Sequence, residues 1–260
     1  MKTLFLSLTL FCSISSFAAI TVVSDLDDTI KITNAGEIAQ AAYNGIFTTG
    51  TYSGMPSFLK EVRSYTNKLH VVTGSPTFLR GRIFELFKKN KISVDSLNLK
   101  NPLLHEDTQA YKTRVISAII ESSSDDIILI GDDVDKDHLI YDGLKSRYPN
   151  RIIAIYIHAI RNHRSLPSSV VRYWTSFDLT LHEVISNRMN PSYVPVAAQL
   201  LIQESKQKNI FPDFANCPKQ ASTWEWQIQT VFSSEALAVS RKLVDYCTTR
   251  TFTKVAESIN

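Results

Sequence analysis

The sequence is poor in the features that mark several special classes of protein. It has 3 Cys, 8 Gly and 9 Pro in 260 residues, and no internal repeat or low-complexity tract. These counts exclude a disulfide-dense miniprotein, a collagen-like chain and a largely disordered one. The charge balance, 28 Lys and Arg against 25 Asp and Glu, neither requires nor excludes an anionic partner. With 44% hydrophobic and 20% charged residues, the chain is long enough for a sizeable α/β domain with an appendage.

The N-terminus has the pattern of a secretory signal peptide. Lys2 precedes an apolar stretch that runs from Leu4 to Cys12, and small residues follow up to Ala18. The stretch is shorter than the roughly 20 residues that cross a bilayer, which disfavours a membrane anchor. We expect cleavage after Ala18, with Ala19 as the alternative, and therefore a secreted or periplasmic protein.

Removal of residues 1–18 leaves two cysteines, Cys217 and Cys247. Two cysteines in an exported chain more often pair than stay free, so the sequence predicts a Cys217–Cys247 disulfide. Two separate buried thiols are the alternative.

Short β-branched runs alternate with amphipathic segments from Ile20 to Ile157, which indicates a parallel sheet covered by helices. The predicted strands are Ile20–Ser24, Leu69–Thr73, Ile127–Gly131 and Arg151–Ile157. The predicted helices between and after them are Ser57–Thr66, Thr77–Lys89, Ala110–Ser122 and Lys136–Arg147. After about Phe177 the alternation gives way to predicted helices at Leu179–Arg188, Val194–Lys208 and Glu225–Tyr246.

Polar loops follow the first three predicted strands: Asp25–Thr29, Thr73–Pro76 and Asp132–Asp137. Ligands of such sheets bind at the carboxyl ends of the strands, so these loops are expected to meet there. Carboxylates can gather a hard divalent cation, and a carboxylate nucleophile divides phosphoryl transfer into two easier steps. The spacing of Asp25 and Asp27 suits a nucleophile and a proton donor on one side of an extended backbone.

These segments resemble the haloacid dehalogenase (HAD) superfamily and, more narrowly, the catalytic domain of phosphatidate phosphatases of the fungal actin-patch type and their bacterial relatives. The resemblance spans roughly Ile20 to Arg161 and rests on the following segments: Val23–Lys31, Ser53–Pro56, His70–Pro76, Lys112, Leu129–Asp132, Lys136–Asp137, Ile140–Tyr141, Tyr148–Arg151 and Ala154–Ile157.

The resemblance implies a role for each matching residue. Asp25 would be the nucleophile and a metal ligand, and Asp27 the general acid/base that lends its backbone carbonyl to the metal. Thr73 and Lys112, with Gly74, would bind the phosphoryl group. The Mg²⁺ site would be completed by Asp132, supported by Asp137 or Asp133.

Some positions depart from the family pattern or favour a packing role. Thr73 stands where serine is usual, which preserves the hydroxyl, and His158 stands where arginine is expected, which puts a substrate contact there in doubt. The spacing of His158 and His163 fits no compact metal-ligand pair, so neither is assigned a role. The segment 32–54 is placed as a small cap-like insert, and its apolar residues are expected to pack on the sheet rather than to line an acyl-chain site. Trp224 and Trp226 are interpreted as core aromatics of the C-terminal helices.

The predicted architecture is an α/β, HAD-like (Rossmannoid) parallel sheet with helices on both faces. The catalytic domain covers 19–177 and a helical extension covers 178–260. The predicted function is a Mg²⁺-dependent phosphomonoesterase that acts through an aspartyl-phosphate on phosphatidate or lysophosphatidate. The alternatives are a periplasmic phosphatase for soluble esters and a secreted interaction protein on a HAD scaffold. The expected partners are a phosphorylated small molecule or phospholipid, with transient contact to a membrane surface; no nucleic acid is expected, and the oligomeric state is left open.

Overall fold

A computed structural model describes residues 19–34, 50–161, 166–217 and 231–259. Six parallel strands form one sheet in the order β3-β2-β1-β4-β5-β6. The strands are β1 (Ile20–Ser24), β2 (Lys68–Pro76), β3 (Ser96–Lys100), β4 (Asp126–Asp132), β5 (Ile152–His158) and β6 (Val171–Tyr173). The predicted Rossmann-like α/β class is confirmed.

Seven α-helices accompany the sheet in the described part of the chain. They are α1 (Met55–Val62), α2 (Arg80–Asn90), α3 (Thr108–Glu121), α4 (Asp137–Arg147), α5 (Ser176–Ile185), α6 (Val194–Ile202) and α7 (Ser233–Ile259). Short 3-10 turns lie at Thr77–Leu79, Pro102–Leu104, Pro191–Tyr193 and Gln207–Asn209. None of the helices in the described ranges is both long and apolar enough to cross a membrane.

The helices divide between the two faces of the sheet. On one face, α3 and α4 pack against Val23, Leu129 and Ile155. On the other face, α1, α2 and α5 to α7 share a larger core with Val22 and Ile128. Successive strand residues point to opposite faces, so a central strand buried on both sides reads as a continuous apolar run.

Individual residues determine where two of the helices begin and how closely one of them packs. The Asp107 carboxylate accepts hydrogen bonds from the backbone N–H groups of Gln109 and Ala110, which caps the N-terminus of α3. Gly54 precedes α1 with φ 78°, and a Cβ built there would lie 2.2 Å from the Oγ of Ser176. Glycine therefore allows the close approach of α1 to the start of α5.

The structure extends and corrects the predicted elements. The four predicted strands are present within two or three residues at each end, but β3 and β6 were missed. The predicted helix Thr77–Lys89 begins with a 3-10 turn, and Val194–Lys208 ends its α-helical part at Ile202. The predicted helix Glu225–Tyr246 is described only from residue 231, and α7 continues beyond it to Ile259.

A disulfide joins two parts of the C-terminal region, and a backbone hydrogen bond connects this region to the chain just after β5. Cys217 and Cys247 form a disulfide with a Cα–Cα distance of 5.7 Å, as predicted. The backbone N–H of Asn216 donates to the carbonyl of Ile160 just after β5. The predicted signal peptide 1–18, most of the insert 32–54 and the residues His163, Trp224 and Trp226 lie outside the described residues.

Candidate active site

The predicted site residues converge at the carboxyl edge of the three central strands. Asp25 follows β1 directly, and its backbone N–H donates to the carbonyl of Ile130 in β4. Asp132 is the last residue of β4 and Thr73 lies in β2. Since β1 lies between β2 and β4, the fold brings side chains from three separate loops to one place.

Three carboxylates form a buried cluster in this place. Asp25, Asp132 and Asp137 each offer an oxygen, and these oxygens lie within 4.8 Å of one another. Asp137 begins α4, and a Cβ on Gly131 would lie 2.5 Å from its Oδ2. Glycine at 131 therefore leaves room for the third carboxylate.

Lys112 from α3 supplies a buried positive charge. Its Nζ lies 2.8 Å from Asp25 Oδ1 and 2.6 Å from Asp137 Oδ1. Burial favours the neutral amine, but the two carboxylates outweigh it and raise the pKa of Lys112 well above its usual value. The ammonium therefore holds two of the three acidic side chains together.

The burial of the carboxylates opposes their ionisation. Desolvation is the largest cause that raises the pKa of Asp25 and of Asp132 well above the ordinary value, and neighbouring carboxylates add to it. Lys112 acts in the opposite direction on both. The pKa of Asp137 is also raised by burial. Such crowding of negative charge is relieved by a cation.

Two contacts support the cluster from the loops. The hydroxyl of Thr29 donates to Asp132 Oδ2 at 3.3 Å, and the backbone N–H of Val134 donates to Asp132 Oδ1 at 2.7 Å. By contrast, Asp137 Oδ2 is buried and has no hydrogen-bond partner in the described part of the chain. A divalent cation with oxygen ligands fits this donor set.

Asp27 lies beside the cluster and is held by hydroxyl groups. Its Oδ2 accepts hydrogen bonds from Thr73 at 3.0 Å and from Ser75 at 2.6 Å, and its Oδ1 accepts one from Thr33 at 2.8 Å. Asp27 and Ser75 are only partly buried, so the site opens to solvent here. The Asp27 side chain does not belong to the metal-ligand group.

The structure distinguishes the two acidic residues that the sequence left as alternatives beside the metal. Asp137 lies in the cluster, whereas the Asp133 carboxylate accepts hydrogen bonds from the backbone N–H groups of Ile160 and Arg161 after β5. Asp133 therefore ties the loop after β4 to the end of β5.

Some residues of the site were not foreseen. The Ser75 hydroxyl reaches Asp27, and its position two residues after Thr73 in the same loop was the available signal. His158 is buried between the rings of Tyr52 and Tyr173, with ring nitrogens 2.8 Å and 3.1 Å from the carbonyl oxygens of Asp28 and Trp174. Burial lowers the pKa of His158. The contact of His158 with the Asp28 carbonyl supports the loop after β1.

The fold and the site together define a Rossmann-like α/β protein whose buried carboxylates, joined by a lysine, can take a metal ion at the carboxyl edge of the sheet. Residues 20–159 match the catalytic domain of phosphatidate phosphatase APP1, and the chain belongs to that family. It is accordingly a phosphatase-family protein.

One relative has low sequence identity to this chain. An uncharacterized protein of Schizosaccharomyces pombe is 27% identical over 180 residues, which is 65% of this chain and 29% of that protein. The chain thus spans less than a third of the length of this relative.

Two solved structures are weakly similar to this chain. A structure of the Pnkp1/Rnl/Hen1 complex aligns with a TM-score of 0.41 at 17% identity, over 61% of this chain and 47% of the other. An uncharacterized protein from Listeria monocytogenes serotype 4b aligns with a TM-score of 0.42 at 11% identity, over 65% of this chain and 99% of the other. At these TM-scores the likeness is too distant to assign an activity.

Proposed function

We propose that this protein is a Mg²⁺-dependent phosphomonoester hydrolase of the HAD type that transfers the phosphoryl group of its substrate to Asp25. The observation that carries the proposal is the buried contact of Asp25 with Lys112, beside two further carboxylates. The ammonium favours the ionised carboxylate, which is the nucleophilic form, against the effect of burial.

Asp25, Asp132 and Asp137 would hold the metal ion, together with the backbone carbonyl of Asp27. The buried Oδ2 of Asp137, which has no hydrogen-bond partner among the described residues, supports this assignment. When bound, Mg²⁺ would polarise the phosphoryl oxygens and offset their negative charge.

In the first step, a carboxylate oxygen of Asp25 attacks phosphorus and the bond from phosphorus to the ester oxygen breaks. Asp27 gives its proton to the leaving oxygen, which departs as an alcohol. In the second step, water attacks the aspartyl-phosphate and returns a proton to Asp27, and inorganic phosphate leaves. The hydroxyls of Thr73 and Ser75 orient the Asp27 carboxylate for both transfers.

The transferring phosphoryl group needs donors around it. Thr73, the loop at Gly74 and the ammonium of Lys112 are the candidates. Thr73 donates its one hydroxyl hydrogen to Asp27, and its hydroxyl oxygen accepts from the backbone N–H of Ser75 at 3.0 Å, so the hydroxyl would have to turn from Asp27 to donate to a phosphoryl oxygen.

Family membership favours phosphatidate or lysophosphatidate as the substrate. The test is phosphate release from both lipids in detergent micelles and from glycerol 3-phosphate, with Mg²⁺ and with chelator. We expect the lipids to be hydrolysed at least about tenfold better than the soluble ester, because binding of the remote acyl part can lower the barrier. Comparable rates would favour a phosphatase for soluble esters.

Asp25→Asn is the decisive variant, with Asp142→Asn on α4 as the matched control. We expect Asp25→Asn to lower the rate by at least about 10³-fold and the control to retain activity. Activity that survives Asp25→Asn would overturn the mechanism. If the wild type released no phosphate from lipid or from a broad panel of esters, a non-catalytic interaction role would replace the proposal.

We further propose that the protein acts outside the cytoplasm. The leader-like segment 1–18 and the Cys217–Cys247 disulfide support export, since disulfides persist in oxidising compartments. Fractionation of cells that express the full chain tests this proposal, and retention of the uncleaved chain in the cytoplasm would contradict it.

A further inference from the structure

Four large apolar side chains are exposed where the strands next to the site end. Phe78 follows β2 and is 73% exposed; Leu103 and Leu104 follow β3 and are 81% and 65% exposed; Leu139 follows β4 and is 53% exposed. Single exposed apolar residues are common on proteins, but a group of them around a site marks a contact surface. We call these four residues the apolar rim.

The segments that carry the apolar rim adjoin one another. A Cβ built on Gly74 would lie 3.0 Å from Cγ2 of Thr108, so the loop after β2 contacts the start of α3. Lys112 of α3 contacts Asp137 at the start of α4, with Nζ 2.6 Å from Oδ1, so the segment that carries Leu139 adjoins α3. A cleft of about 370 Å³ connects the loops after β2 and β3, lined by Gly74, Pro76, Lys100, Pro102, His105 and Glu106.

Basic residues accompany the apolar rim on the same edge. Four of them take part in no ion pair within the described ranges: Arg80, Lys100, Lys136 and Arg161. Two nearby acidic residues are engaged elsewhere, since Glu106 pairs with Arg114 at 2.7 Å and Asp107 caps α3. Asp135 adds one exposed carboxylate in the same region. Lys100 Nζ also donates to the hydroxyl of Thr108 at 3.0 Å, and Arg80 Nη1 donates to the carbonyl of Leu97 at 3.4 Å, and neither hydrogen bond neutralises the charge. The surface therefore combines apolar side chains with an excess of positive charge.

We propose that the apolar rim and these four basic residues dock the protein on an anionic lipid bilayer, with the open side of the site facing the membrane. Apolar side chains enter the boundary between headgroups and acyl chains, and the cations bind the headgroup phosphates. The proposal rests on the proposed function, because a phosphatidate phosphate lies at that depth. It assigns the entry of the substrate to the edge formed by the loops after β2, β3 and β4.

The test uses the full chain with Asp25→Asn, which removes turnover, and sedimentation with vesicles. The vesicles are phosphatidylcholine with about one-fifth phosphatidylglycerol, an anionic lipid without a phosphomonoester. In this background, we expect Phe78→Ser/Leu103→Ser/Leu104→Ser to weaken binding at least about tenfold. The matched control replaces exposed apolar residues of helices on one sheet face: Ile185→Ser/Val196→Ser/Leu237→Ser. It should bind like its parent.

A second variant, Arg80→Glu/Arg161→Glu, tests the charge component. It should bind at least about tenfold more weakly at low salt, and the difference should shrink as salt rises. When Asp25 is kept, the triple apolar variant and the charge variant should both hydrolyse a soluble phosphate ester at the wild-type rate. Loss of that activity, or vesicle binding equal to that of the parent, would overturn the proposal.

The outcomes separate this inference from the proposed function. Phosphatidate hydrolysis in detergent together with rim-independent vesicle binding would reject the docking surface alone. Vesicle binding that depends on the rim without phosphate release from any ester would reject the enzymatic function and leave the docking surface standing as a lipid-binding site.

Discussion

Replacement of Lys112 by methionine removes the ammonium that contacts Asp25 and Asp137 while it keeps most of the side-chain volume. The side chains of Lys112 and Asp25 are each 3% exposed, so water cannot replace the lost charge. Breaking a buried ion pair by removal of one partner costs about 3–5 kcal/mol. For a domain of this size, that corresponds to a decrease of roughly 6–20 °C in Tm.

The variant should also become more sensitive to pH. Without the ammonium, burial keeps the pKa values of both carboxyl groups raised in the folded protein, so the folded state binds protons that the unfolded chain releases. Stability is then lost as pH rises. Urea denaturation of Lys112→Met with chelator present should therefore show a larger deficit at pH 8 than at pH 5.

Two further variants test whether the ammonium of Lys112 stabilises the carboxylate cluster. Asp25→Asn in the Lys112→Met background removes one uncompensated carboxylate and should recover about 1–3 kcal/mol. Lys88→Met, on the exposed side of α2, should stay within about 0.5 kcal/mol of the wild type. A loss below about 1 kcal/mol for Lys112→Met, or no recovery in the double variant, would show that the contact does not stabilise the cluster.

Three other predictions follow from the same structure. Burial raises the pKa of Asp178 from 3.8 to about 7, so the stability of the protein falls as pH rises through this range. Asp178→Asn should flatten that part of the curve of unfolding free energy against pH, and an unchanged curve would contradict the prediction. Replacement of Cys217 and Cys247 by serine opens a link across 30 residues and should cost about 3–4 kcal/mol in urea denaturation, and a cost near zero would show that the link constrains little. Gly131→Ala places a Cβ 2.5 Å from Asp137 Oδ2 and should cost about 1–3 kcal/mol and reduce phosphate release, whereas Gly143→Ala, with open space around it, should lose neither stability nor activity.

The sequence predicts the centre of the sheet well and its edges poorly. β1 and β4 are buried on both faces, so they appear as continuous apolar runs. β3 has only Leu97 and Leu99 between polar residues, and β6 has three residues. β3 and β6 form because they pair with β2 and β5, and this pairing cannot be seen in their local sequence.

The site follows the same division. Asp25, Thr73 and Asp132 end or follow predicted strands, so their convergence can be foreseen from the topology of a parallel sheet. The position of Asp137 rather than Asp133 in the carboxylate cluster cannot be foreseen, because both residues closely follow β4 in the sequence. Asp133 is turned away by the backbone N–H groups of Ile160 and Arg161 after β5, which donate to its carboxylate.

The core on the face of α1, α2 and α5 to α7 joins the segment that matches the family to the chain that follows it. The family match ends at residue 159, but Val22 and Tyr156 of the matched segment pack in one cluster with Phe177 and Leu243 beyond it. A fragment cut at the end of the match would keep α1 and α2 but lose β6 and α5 to α7, and it would expose the apolar surface that α5 to α7 cover. The segment that matches the family is therefore shorter than the segment that supplies the core on this face of the sheet.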